Sequence, residues 1–117
     1  MPDLAKVFRA LSDPTRLCIV NELSRHVLCV GALADRLGVT HSAVSQHLRV
    51  LREAGLVRGA KRGYWVHYSL DRRQIRRIAT RVGRWLEEIC AAPTEACLDA
   101  PGCPRKGGRQ SASRRNR

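Results

Sequence analysis

The apolar positions fall into blocks whose spacing changes along the chain. Leu4, Val7, Phe8 and Leu11 recur every three or four residues and predict a short amphipathic helix. Ser12-Asp13-Pro14 follows, in which Asp13 is an N-cap residue and Pro14 takes the first helical position, where a missing N–H costs nothing. The second helix is expected over Pro14–Leu23, with Leu17, Val20 and Leu23 inward. After a connection over 24–28, a third helix is expected over Val30–Leu37, burying Leu33, Ala34 and Leu37. Gly38 supplies the left-handed residue that ends it, and Val39 tucks into the core. Thr40 then caps a fourth helix over 41–54, which Gly55 terminates.

Two helices joined by a tight glycine-containing turn, the second freshly capped, form the helix-turn-helix pattern. Val44, Leu48 and Leu51 share one face of the fourth helix; Ser42, Gln46, Arg49 and Glu53 share the opposite face, with Ser45 on its flank. Taken alone, that polar face is an ordinary solvated surface. Behind such a turn, its hydrogen-bonding groups suit base edges in a DNA major groove.

The period then changes to two. Leu56-Val57-Arg58 and residues 64–70 flank Gly59-Ala60-Lys61-Arg62-Gly63, and Val66, Tyr68 and Leu70 alternate with Trp65, His67 and Ser69. This predicts a β-hairpin with a basic tip, a wing placed directly after the recognition helix. Lys61 and Arg62 at that tip can reach phosphates or a minor groove. Trp65 either faces outward along the DNA backbone or packs on the hairpin's other face. Asp71 caps a last helix over 72–90, with a stripe of Ile75, Ile78, Ala79, Val82, Trp85, Leu86 and Ile89 and with Arg72, Arg73, Arg76, Arg77, Arg81 and Arg84 mostly off it. The stripe is longer than one small domain needs, so a homodimer interface shared with the first helix is expected, in place of burial within one chain. A two-fold dimer sets its recognition helices about one DNA turn, roughly 34 Å, apart. The expected fold class is mainly α (α+β): a winged helix-turn-helix of five helices with a β-hairpin wing.

Composition supports a polyanionic partner. The chain has 117 residues, one domain's worth, and its 22 Lys and Arg against 10 Asp and Glu give a net charge of +12. Arg105, Lys106, Arg109, Arg114, Arg115 and Arg117 lie in a tail without acids, so half of that charge belongs to a segment expected to be disordered. The other half lies in the folded part. Domains are therefore expected at 1–90, for DNA binding and dimerisation, and at 91–117, a Cys- and Pro-containing then basic tail. Residues 1–11 lack the apolar run of a secretory signal and no stretch has the length of a membrane span, so a cytoplasmic protein with no membrane partner is expected. In a reducing compartment five cysteines, an odd number, read as thiols, metal ligands or redox sensors. No phosphate loop, paired catalytic carboxylates or nucleophile motif is present, and the expectation is no enzyme and no required cofactor. A nonspecific architectural DNA-coating protein is the other class the charge allows.

Leu11-Ser12-Asp13-Pro14-Thr15-Arg16-Leu17 and then Leu37-Gly38-Val39-Thr40-His41-Ser42-Ala43-Val44-Ser45-Gln46-His47-Leu48-Arg49-Val50-Leu51-Arg52-Glu53-Ala54-Gly55-Leu56-Val57 resemble the arsenic-repressor (ArsR/SmtB) family over most of the chain, about residues 4–90. The resemblance implies a homodimeric winged-helix repressor that leaves its double-stranded DNA operator when an inducer binds. It implies DNA contacts by Ser42, Ser45, Gln46, His47 and Arg49 and by Lys61 and Arg62 of the wing, to which Thr40 and His41 at the start of the fourth helix are added. His47 lies nearer the buried side than Gln46 and either contacts a phosphate or bonds locally.

Sensing sites vary within the family. One uses two cysteines two residues apart at the start of the third helix; here Cys29 is present, but Gly31 stands at the second position. Another uses Asp and His on the last helix, and residues 72–89 hold no His. What remains is Cys90, Cys97 and Cys103, three thiolates suited to As(III) or another soft metal ion as the inducer. The alternative is a thiol-redox or persulfide switch answering to an oxidant through Cys18 and Cys90, or through Cys90 with Cys97 or Cys103. Cys18 also reads as a small buried hydrophobe.

Overall fold

The computed structural model describes residues 3–97 and 100–104. Its elements are α1 (Leu4–Leu11), α2 (Pro14–Leu23), β1 (Leu28–Cys29), α3 (Val30–Leu37), α4 (His41–Glu53), β2 (Val57–Arg62), β3 (Trp65–Leu70) and α5 (Arg72–Ala91). The mainly helical winged helix-turn-helix expected from the sequence is the fold observed. Short polar side chains start the helices where the sequence offers them. Asp3 accepts from Lys6 N at 3.3 Å, Asp13 from Arg16 N at 3.0 Å, Thr40 from Ala43 N at 3.0 Å and Asp71 from Gln74 N at 3.1 Å. Each satisfies an amide that the first helical turn leaves without a partner.

The three strands form one antiparallel sheet in the order β1-β3-β2. Leu28 pairs with Tyr68 and Cys29 with His67, so the connection expected over 24–28 ends in a short strand that stitches the start of α3 to the wing. The core gathers α1 to α4 over the base of the sheet, with Val7, Ile19, Leu33, Val44 and Leu51 essentially closed to solvent. An ion pair from Arg36 Nη1 to Glu22 Oε1, 2.9 Å long, joins α3 to α2 at the surface.

Three expectations need correction. Leu17 is 47% exposed and Ile19 takes the buried position, because α2 turns Ile19 and Leu23, four residues apart, toward the core. Cys18 beside Leu17 is exposed as well, so it is no buried hydrophobe. In the wing, residues 59–62 are strand, not loop: Gly59 pairs with Tyr68, Ala60 with His67, Lys61 with Val66 and Arg62 with Trp65. A Cβ at Gly59 would come within 3.0 Å of Val66 Cγ1 and 3.1 Å of Tyr68 Cε1, so those two side chains would have to give by a few tenths of an ångström to admit one.

On α5 only Ile78 is buried, while Ile75 and Val82 pack partly against the core. Trp85 is 39% exposed and Leu86 49%. Among the described residues, no helix is long and apolar enough to cross a membrane. The described residues divide into two compact units, one ending at Leu86 and the other beginning at Glu87. In the second, Ala100 N donates to Cys97 O at 2.9 Å and Cys103 N to Ala100 O at 3.3 Å, folding Cys103 back toward Cys97. The basic segment expected to be disordered, from Arg105 on, lies outside the described residues.

Candidate nucleic-acid interface

The turn between α3 and α4 depends on Gly38. Its φ is 66°, and its amide donates to Ala34 O at 2.9 Å, closing α3. A side chain at this φ is strained even though open space surrounds the position. Val39 then packs against the core, and Thr40, extended at φ −74° and ψ 156°, caps α4.

Val44, Leu48 and Leu51 anchor α4 from beneath. Thr40, His41, Ser42, Ser45, Gln46 and Arg49 are all exposed. Every candidate on this helix except His47 therefore presents its side chain to solvent. Arg49 is loosely held: its Nε lies 3.5 Å from Glu53 Oε2, with both side chains more than half exposed. Such a surface pair holds the arginine weakly, leaving it available to another anion.

His47 is half-buried and turned toward α2. Its Nδ1 lies 3.2 Å from Arg16 Nη1 and 3.9 Å from Asp13 Oδ2. The Asp13 carboxyl is held below its ordinary range, chiefly by the Arg16 amide it accepts from and then by His47, when that ring is protonated, and by the Arg16 guanidinium. The local bond foreseen for His47 is thus present, and Arg16 is a participant that pattern reading did not single out.

On the wing, Lys61 and Arg62 are exposed on the last two ladder positions of β2, beside the tip rather than in it. The tip is Gly63-Tyr64, with Gly63 at φ 62° and Tyr64 97% exposed. Trp65 is 64% exposed. An exposed Tyr-Trp pair flanked by two cations is a surface suited to sugar and phosphate. The signal for Tyr64 was its place between Gly63 and the first strand residue, Trp65.

The sensing candidates are less assembled. Cys97 and Cys103 lie with their sulfurs 2.8 Å apart, within reach of a shared hydrogen bond. That bond, followed by desolvation and the charge of Cys97, raises the Cys103 thiol above its ordinary range. Among the described residues, no group of three His, Cys, Asp or Glu is placed to hold a metal ion, so Cys90 does not complete a triad with this pair. Cys18, Cys29 and Cys90 are free thiols.

Comparison with known proteins agrees with this geometry. Residues 13–58, from the cap of α2 into β2, match the model of the bacterial regulatory protein, arsR family. A "Transcriptional repressor SmtB homolog" of Synechocystis is 40% identical over 85 residues, 73% of this chain; the match spans 64% of that relative, just under two thirds of its length. A "Cadmium resistance transcriptional regulatory protein CadC homolog" of Staphylococcus aureus is 39% identical over 90 residues, covering 76% of this chain and 74% of the relative. Among solved structures, the homodimeric winged helix-turn-helix DNA-binding domain Mb0332 of Mycobacterium bovis superposes with a TM-score of 0.60 at 27% identity, covering 74% of this chain and 80% of that one. With the capped turn, the polar recognition face and the wing all inside or beside the matched segment, the chain belongs to the arsR family of bacterial regulatory proteins.

Proposed function

We propose that this protein is a homodimeric transcriptional repressor that binds an operator in double-stranded DNA and is released when a thiophilic ion, As(III) or a soft metal, binds its C-terminal cysteines. The observation that carries the DNA part is the exposed face of α4. Thr40, His41, Ser42, Ser45, Gln46 and Arg49 all reach solvent on one rigid, capped helix, with Lys61 and Arg62 on the adjoining hairpin. Gln46 and Arg49 suit base edges, while Ser42, Ser45 and the wing cations suit phosphates. His47 contributes from the margin. The DNA-binding and dimerisation part is residues 1–90, and residues 91–117 form the regulatory and basic tail. The protein acts in the cytoplasm, as binder and switch rather than enzyme.

Dimerisation is supported by the unburied apolar side chains of α1 and α5 and by the homodimeric Mycobacterium bovis neighbour. The inducer reading is supported by the Cys97–Cys103 pair and by the cadmium-resistance name of one relative. Two adjacent thiols fit a soft ion, with a further ligand drawn from Cys90 once the ion is present. Both thiols must give up their protons to hold an ion, so apparent affinity rises with pH. The same sulfur pair supports a second reading, a thiol-redox switch, in which an oxidant takes two electrons from the dithiol and two protons leave as the disulfide forms.

The test is an anisotropy titration of the reduced protein on its own promoter, with arsenite, cadmium or peroxide added, beside the Cys97→Ser/Cys103→Ser variant. Release of wild type but not of the variant by a thiophilic ion supports the ion reading. Release by peroxide alone replaces it with the redox reading. Release of both proteins alike removes the cysteine pair from the switch.

A further inference from the structure

One of the two ring nitrogens of His47 faces inward, and its partner decides what the other nitrogen can do. Arg16 reaches from α2 into the space among α1, α2 and α4. Its Nε donates to Ala10 O at 2.6 Å and its Nη2 to Arg9 O at 3.3 Å, while Nη1 stands 3.2 Å from His47 Nδ1. A guanidinium offers only donors and keeps its proton in proteins, so Nδ1 of His47 must be the acceptor. A neutral imidazole that accepts at Nδ1 carries its hydrogen on Nε2. The nearby carboxylate does not reverse this. Asp13 Oδ2 lies 3.9 Å from Nδ1, beyond hydrogen-bond reach, and already accepts from Arg16 N at 3.0 Å. The His47 side chain is 22% exposed, so part of it reaches solvent on the helix that also carries exposed Gln46.

We propose that Arg16 is a positioning residue for DNA binding: by occupying His47 Nδ1 it fixes the imidazole as the Nε2–H tautomer, and that outward N–H donates to a DNA phosphate oxygen. The same guanidinium ties the end of α1 to α4, so the recognition helix and its phosphate donor are set by one side chain. Asp13 helps by capping α2 at the turn from which Arg16 departs. The phosphate role rests on the reading of α4 as a DNA-binding helix; the tautomer does not.

The tautomer is read directly by long-range proton–nitrogen correlation NMR on protein labelled with nitrogen-15 in histidine. The expected wild-type spectrum shows His47 with a bonded hydrogen on Nε2 and a lone-pair Nδ1, and Arg16→Gln shows the two tautomers averaged. A wild-type His47 with its hydrogen on Nδ1 overturns the proposal, as does an Arg16→Gln variant that folds and keeps a pure Nε2–H tautomer. Because Arg16→Gln also loses two carbonyl partners, His47→Asn tests the outward donor separately. Its amide oxygen still accepts from Arg16, but the outward N–H is gone. Affinity for operator and unrelated DNA is expected to fall alike, by about threefold to tenfold for one lost hydrogen bond. Unchanged affinity overturns the phosphate role. If wild-type protein binds no DNA, the interface reading and the phosphate role fall together, while the NMR result still decides what Arg16 does to the ring.

Discussion

The rings of Phe8 and Trp85 lie 6.2 Å apart, centroid to centroid, tilted by 41°. This pair joins the first helix to the last at a separation within the range over which aromatic rings attract one another. Neither ring is sheltered within one chain: Phe8 is 42% exposed and Trp85 39%, with Leu86 beside them at 49%. Large apolar groups left open together mark a surface that a partner covers.

Leu86→Glu is therefore expected to yield a monomer by light scattering after gel filtration, and wild type a dimer. The side chain is half in water already, so the unfolding free energy of the monomer should change by no more than about 0.5 kcal/mol. A Leu86→Glu protein that remains dimeric would place the interface elsewhere.

Asp13 gives the fold an acid limit. Its folded carboxyl titrates below its unfolded value, first because it accepts the Arg16 amide and then because His47 and Arg16 lie near. A depressed carboxyl contributes stability above the unfolded value, lost as pH falls through the folded one. Asn remains a good cap but has no charge to lose. Urea midpoints of wild type and Asp13→Asn are thus expected to converge as pH falls below about 4, with wild type the more stable near neutrality. Curves that stay parallel from neutral to acid pH would show that the charge at Asp13 is idle.

The limits of pattern reading show in particular residues. The bounds of α2 were legible because Asp13-Pro14 is a start signal with a local cause. Its buried face was not, since Leu17, Cys18, Ile19 and Val20 are four apolar residues in a row and an unbroken run carries no phase. Only packing against the rest of the core selects Ile19. The two residues of β1 were equally hidden, because their partners on β3 are far away in sequence. Gly59-Ala60 read as a loop by composition, yet β3 recruits it as strand. The polar face of α4 was plain from periodicity alone. The Arg16–His47 contact was not, because it joins residues 31 positions apart and depends on how two helices cross.

The wing makes a separable prediction. Lys61 and Arg62 flank the tip without any hydrogen bond or ion pair recorded to their side chains among the described residues. The double variant Lys61→Ala/Arg62→Ala is expected to weaken binding to all DNA sequences similarly. The slope of log affinity against log salt should shrink by about two, one for each phosphate contact removed. A change of sequence preference with an unaltered slope would mean that the wing reads bases.

The central claim is that the exposed face of α4 reads DNA sequence, and Gln46 tests it most directly. Wild type and Gln46→Ala would be titrated by fluorescence anisotropy against the protein's own promoter fragment and against a scrambled fragment at one fixed salt concentration. The expected result is a loss of about 1–3 kcal/mol on the promoter, the worth of a good base contact, with little change on scrambled DNA. Equal losses on both fragments, or no preference by wild type to begin with, would contradict the account and leave a protein that holds DNA by charge alone.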